Sequence, residues 1–151
     1  MRPINLIVVH CSATKEGVAI NASAIDKMHK ERKPPFKKIG YHYVILIDGR
    51  IEKGRDEQEI GAHVTGHNNR SIGICYVGGL DGNGKAKDTR TKEQKAALVT
   101  LLMELVGKYP DAEIVGHRDL SKDKNRDGKI SRFEWIKECP CFDAKEEYKH
   151  I

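Results

Sequence analysis

Apolar positions along the chain switch between short, almost unbroken runs and a three-to-four-residue rhythm, and the switches outline the fold. "INLIVVH", residues 4–10, is an almost unbroken apolar run rich in branched side chains, the pattern of a strand covered on both faces. His10 closes it. "ASAIDKMHKERK" then places Ile25, Met28 and Arg32 at helical spacing, with Asn21 in front as an N-cap and Pro34 as the far limit, because a residue before proline avoids the helical region. "YHYVILIDGRIEKGR" reads as a strand, an Asp48-Gly49 hairpin turn and a returning strand. "SIGICYVGG", residues 71–79, is a further buried strand ended by glycines, and "DGNGKAKD" after it reads as a flexible loop. Thr91 and Gln94 form a capping box before a helix with Ala97, Leu98, Leu101, Leu102 and Leu105 on its apolar face, ending at Gly107 and Pro110. The last strand, "AEIVGH" (112–117), again closes on a histidine.

Strands mixed with helices in this order predict an α/β single domain with a central mixed β-sheet flanked by α-helices, and 151 residues without repeat or linker suit one domain. Ligands of such sheets gather outside the carboxyl ends of the strands. His10 and His117 therefore become candidates for one site.

Composition narrows the surroundings. With 38% hydrophobic and 32% charged residues the chain reads as a globular protein, and it has no apolar run long enough for a membrane span. The opening segment reads as a core strand rather than an export signal, so Cys11, Cys75, Cys139 and Cys141 are expected as reduced thiols or metal ligands. The net charge of +5, from 27 basic against 22 acidic residues, suits an anionic partner. The basic runs "DKMHKERKPPFKK" and "GKAKDTRTKEQK" lack interleaved aromatics, which argues for a solvated surface and against a nucleic-acid partner.

"KECPCFD", residues 137–143, crowds two cysteines, a lysine and an aspartate around one proline. A catalytic zinc takes three nitrogen, sulfur or oxygen ligands and leaves a fourth position for water. His10, His117 and one cysteine of "CPC" meet that count, and their wide separation is unlike the close ligand pairs of a zinc finger. On spacing alone the plainer reading is two satisfied histidines and a buried thiol.

The order of motifs shifts the balance. "HCSATKEG", "GYHYVILIDGRIEKGRDEQEIGAHVTGHNNRSIGICYVGG", "GHRD" and "KECPCFD" together resemble the zinc-dependent N-acetylmuramoyl-L-alanine amidases of the type 2 family, in particular the phage lysozyme-type branch, and are similar to peptidoglycan recognition proteins. The resemblance runs from His10 to Asp143. It implies Zn2+ held by His10, His117 and Cys139, with Lys137 and Tyr41 as catalytic residues and His63 as a substrate contact near the zinc. Cys141 falls where the family tolerates other small residues, and Cys11 is expected on the core side of its strand. The implied reaction is hydrolysis of the amide between N-acetylmuramic acid and L-alanine in peptidoglycan by a phage or prophage endolysin. The alternative is a recognition protein that binds muropeptide without cutting it. The implied partner is peptidoglycan, with no membrane partner and a monomeric protein that is made in the cytoplasm and reaches the wall after holin-type release.

The stretch between His117 and Cys139 is longer than phage enzymes of the family usually show, and "DKNRDGKISRFE" (123–134) inside it matches the EF-hand-type calcium loop D-x-[DN]-x-[DN]-G-x5-E. Asp123, Asn125, Asp127, Ser131 and Glu134 would offer side-chain oxygens and Lys129 its carbonyl to Ca2+, with Gly128 at the sharp turn. No helix pattern precedes the loop, so a structural role is expected rather than a sensor. Asp and Asn also build ordinary turns, which is the competing reading.

Overall fold

The computed structural model describes residues 2–151. The elements in chain order are β1 (Leu6–Cys11), β2 (Thr14–Lys15), α1 (Ala22–Glu31), β3 (Tyr43–Ile45), β4 (Ile51–Lys53), β5 (Ser71–Tyr76), β6 (Gly79–Leu80), α2 (Lys92–Lys108), β7 (Glu113–Gly116) and α3 (Ala144–Glu147). Five strands make one mixed sheet in the order β4-β3-β5-β1-β7, in which only the β3–β4 hairpin is antiparallel. β1 lies at the centre between two parallel neighbours, as its continuous apolar run requires.

Alternation along β1 assigns its side chains to two faces. Ile7, Val9 and Cys11 enter the larger core with Ile72, Ile74 and Tyr76 of β5 and the leucines of α2. Val8 packs on the opposite face with Val64 and Val115, and His10 continues that face. α2 buries Leu98, Leu101, Leu102 and Leu105, each contributing roughly 1.5–3 kcal/mol relative to exposure. Its capping box is formed as read: Gln94 N donates to Thr91 Oγ1 (3.1 Å) and Thr91 N to Gln94 Oε1 (2.9 Å). Gln94 is buried as well, because its Nε2 also donates to Val77 O and so ties α2 to the end of β5.

α1 is capped by Asn21, whose Oδ1 accepts from Ala24 N at 2.9 Å. Ile25 is its one buried residue, with the partly buried Ala22 beside it on the same cluster, while Met28 faces solvent. Helical spacing located that helix, but its shallow seat takes only the first turn, at Ala22 and Ile25. Three features lie outside the sequence expectations. Thr14–Lys15 and Gly79–Leu80 pair in parallel as a separate two-stranded sheet. "DGNGKAKD" begins as a defined turn, with Asp81 Oδ1 accepting from Asn83 N and Lys85 N. His117 falls one residue beyond β7, opening a 3-10 turn (His117–Leu120). Among the described residues no helix is long and apolar enough to cross a membrane.

The C-terminal segment is clamped to the body by Arg90, whose side chain is 1% exposed. It donates to Asp88, Glu147 and Tyr148 Oη and stacks on the Phe142 ring at 3.3 Å. This fixes α3 and the residues before it, including Cys139.

Candidate metal centre and active-site cleft

His10 and His117 stand at the carboxyl edge of neighbouring strands β1 and β7, their ring centroids 4.7 Å apart. Cys139, 129 positions beyond His10 in sequence, joins them with its Sγ 3.8 Å from His10 Nδ1. One ligand atom from each of the three lies within 4.8 Å of the others. Ligands about a metal at 2.0–2.3 Å stand roughly 3.5 Å apart in a tetrahedral shell, so the set is close to what one zinc requires.

Local packing explains why Cys139 arrives there. Arg118 N donates to Cys139 O (2.9 Å), and Tyr76 Oη donates to Pro140 O (2.6 Å), pinning the segment at two successive carbonyls. Pro140 lies directly on Gly116, where any Cβ would sit 2.7 Å from the proline Cδ. The glycine of "VGH" and the proline of "ECP" are thus two halves of one contact. The Cys11 backbone N–H donates to Cys139 Sγ at 3.2 Å and so fixes where the sulfur sits.

Electrostatics suit a metal that needs neutral imidazoles. Burial, followed by the adjacent His63, His117 and Lys137, holds His10 well below the ordinary imidazole range. Burial and Lys137 bring His117 down to about 4. Both rings are therefore uncharged near neutral pH.

The centre opens into a cleft of about 510 Å³ lined by Tyr41, His63, Ile136 and Lys137 among others. Tyr41 packs its ring on His10 (centroids 5.1 Å), and burial, ahead of the neighbouring Cys75, Cys139 and Cys11 thiols, keeps its hydroxyl well above the ordinary phenol range. Lys137 is exposed and belongs to no regular element. Its segment is steadied by Ser121 Oγ, which accepts from Ile136 N (3.0 Å), and by Arg118 stacked over Trp135 (3.9 Å).

All six residues read from the sequence as the enzyme site, His10, Tyr41, His63, His117, Lys137 and Cys139, line this one cleft. His63 is set back from the opening: it is 9% exposed, and its ring is engaged at both nitrogens, by His10 and by Ser71. Ser71 escaped the sequence reading, as did the Cys11 N–H. Cys11 faces the larger core as expected, and its Sγ there lies 3.9 Å from that of Cys141.

The loop 123–134 stands apart. Carboxylate oxygens of Asp123, Asp127 and Glu134 lie within 4.8 Å of one another, and Gly128 takes φ +81° at the turn. Asp123 accepts from Gly128 N (2.8 Å), and Asn125 contacts Asp127 through Nδ2 (3.3 Å). Lys129 and Ser131 are tied in through backbone N–H groups, to Asp127 and Glu134 respectively (2.9 Å each). Glu134 is buried in a 3-10 turn (Arg132–Glu134), and its carboxylate also accepts from Lys124 N and Asn125 N.

A mixed sheet with two histidines at its carboxyl edge, and a cysteine folded back to them beneath an open cleft, defines a single-domain α/β protein with a candidate His-His-Cys metal site. The chain belongs to the N-acetylmuramoyl-L-alanine amidase family, whose model matches residues 1–129. It is similar to the endolysin of Enterobacteria phage K11, 38% identical over 141 residues that cover 93% of this chain and 83% of the phage protein. In structure it is similar to the N-acetylmuramoyl-L-alanine amidase LysC from Clostridium intestinale URNW, with 28% identity and a TM-score of 0.72 over 97% of this chain and 83% of that one. Drosophila PGRP-LB shares the fold at 22% identity, with a TM-score of 0.72 over 99% of this chain and 82% of that one. The activity is that of a peptidoglycan amidase. The family match ends before Lys137 and Cys139, so the C-terminal part of the site is defined by its geometry.

Proposed function

We propose that His10, His117 and Cys139 hold one catalytic zinc, and that Lys137 and Tyr41 act beside it on the amide between N-acetylmuramic acid and L-alanine. The observation that carries this reading is the convergence of three ligand atoms within 4.8 Å at the floor of the cleft. When bound, zinc supplies Lewis-acid chemistry, acidifying a water and polarising a carbonyl. The chain's own residues do the rest. His10 and His117 present neutral nitrogens, and the Cys11 N–H holds the Cys139 sulfur in place. The Lys137 ammonium lies on the cleft wall, where its charge acts on His10 and His117 and would act equally on a developing oxyanion. Tyr41 stays protonated, which suits a hydrogen-bond donor that orients the attacking water rather than a base.

The loop 123–134 is proposed as an inserted calcium loop within the single amidase domain. Its support is the approach of Asp123, Asp127 and Glu134 around a glycine turn, in a segment that leads directly to Lys137 and Cys139.

Digestion of purified peptidoglycan tests the reaction. New α-amino groups on L-alanine are expected, with no new reducing sugar ends. Reducing ends as the main product would make the enzyme a glycosidase, which works instead through a pair of carboxylates.

A further inference from the structure

A histidine that ligates a metal donates its second ring N–H to a fixed partner, and that partner sets which nitrogen faces the ion. In His10, Nδ1 faces Cys139 Sγ, and Nε2 lies 2.8 Å from His63 Nδ1 on the far side of the ring. His63 Nε2 in turn lies 3.1 Å from Ser71 Oγ. The three residues form a buried chain at the back of the cleft, at 1%, 9% and 0% exposure.

Counting protons along the chain gives it a direction. If His10 offers the Nδ1 lone pair, its proton sits on Nε2 and is donated to His63 Nδ1. His63 must then carry its own proton on Nε2 and donate it to Ser71 Oγ. In the reverse arrangement Ser71 donates to His63, His63 donates to His10 Nε2, and the His10 proton moves to Nδ1. That nitrogen would then point an N–H at the ligand cluster and could not bind a metal.

The slot for the His63 ring is built into the backbone. A Cβ on Gly73 would sit 2.7–2.8 Å from three of its ring atoms, and one on Gly61 would sit 2.7 Å from its Cδ2. The loop that carries the ring is held by Asn68 Oδ1, which accepts from both His63 N and Val64 N at 2.9 Å. Such enclosure leaves the ring little freedom to turn toward a substrate.

We infer that His63 and Ser71 are positioning residues that fix His10 in its metal-binding tautomer, so that His63 acts through His10 and not on the peptidoglycan. The inference rests on the reading of His10 as a metal ligand.

Zinc affinity by chelator competition, together with KM and kcat on a soluble muropeptide at saturating zinc, tests it in the wild type, His63→Ala, His63→Asn and Ser71→Ala. His63→Ala should bind zinc about 10- to 100-fold more weakly with KM unchanged. His63→Asn puts an amide oxygen where Nδ1 stood and should recover most of the affinity. Ser71→Ala leaves the ring in place and should give a smaller loss in the same direction, which decides the matter should His63→Ala fail to fold. Wild-type zinc affinity in the His63 and Ser71 variants, with a raised KM for His63→Asn, would overturn the inference and return His63 to the substrate. Failure of the wild type itself to bind zinc would overturn the metal reading and the inference with it, an outcome distinct from any change among the variants.

Discussion

Lys137 is an exposed cation held at the cleft by its neighbours in the chain rather than by a helix or strand. Because it makes no ligand bond in the proposed centre, removing its charge should cost only stabilisation of the oxyanion. Lys137→Ala is expected to keep its zinc and its melting temperature while turnover falls roughly 10²-fold, the usual loss for one such donor. Parallel loss of metal and turnover, read by metal analysis beside steady-state rates, would make Lys137 a structural residue. How well individual residues could be read in advance depended on how local their signal is. His10 and His117 were visible because each terminates an apolar run. Cys139 was visible only through the order of motifs, since its approach to His10 depends on the Pro140–Gly116 contact and on two backbone carbonyls pinned by Arg118 of the turn after β7 and Tyr76 of β5. Ser71 looked like any strand residue. Its one trace in the sequence is the glycine two positions later, which vacates the space that the His63 ring fills.

The loop from Asp123 to Glu134 gathers three carboxylates in a short span and depends on backbone N–H groups to hold them together. A cation would relieve their mutual repulsion and stiffen the path to Cys139. With a dissociation constant of about 10⁻⁴ M, 1 mM calcium would stabilise the folded protein by about 1.4 kcal/mol. That corresponds to roughly 3–5 °C in a domain of this size. Thermal melts of the zinc-loaded wild type and Asp127→Ala, each with calcium or a calcium-selective chelator, should show the shift in the wild type alone. Four identical melts would reduce the segment to an ordinary turn. Among the elements, β1, β5 and α2 were legible because each carries its full period and, for α2, its own cap. β2 and β6 were not, since two residues contain no period and their pairing joins segments 65 positions apart. α1 was found by spacing and by Asn21, yet spacing overstated its contact with the sheet, where Met28 remains outside.

The fold as a whole serves to bring three distant segments to one point: the end of β1, the turn after β7, and the C-terminal segment that Arg90 and Pro140 hold against the sheet. The mixed sheet followed from the sequence of strands and helices. The strand order, and with it the adjacency of His10 and His117, followed only from the long-range pairing of β1 with β7. A metal at that meeting point is what the proposed chemistry requires. Metal analysis of the purified wild type and of Cys139→Ser, with hydrolysis of peptidoglycan measured on the same samples, tests it. The wild type should carry about one zinc per chain and release L-alanine N-termini, whereas Cys139→Ser, though folded, should have lost both metal and activity. Full activity in wild-type protein stripped of zinc, or in a metal-free Cys139→Ser, would contradict it.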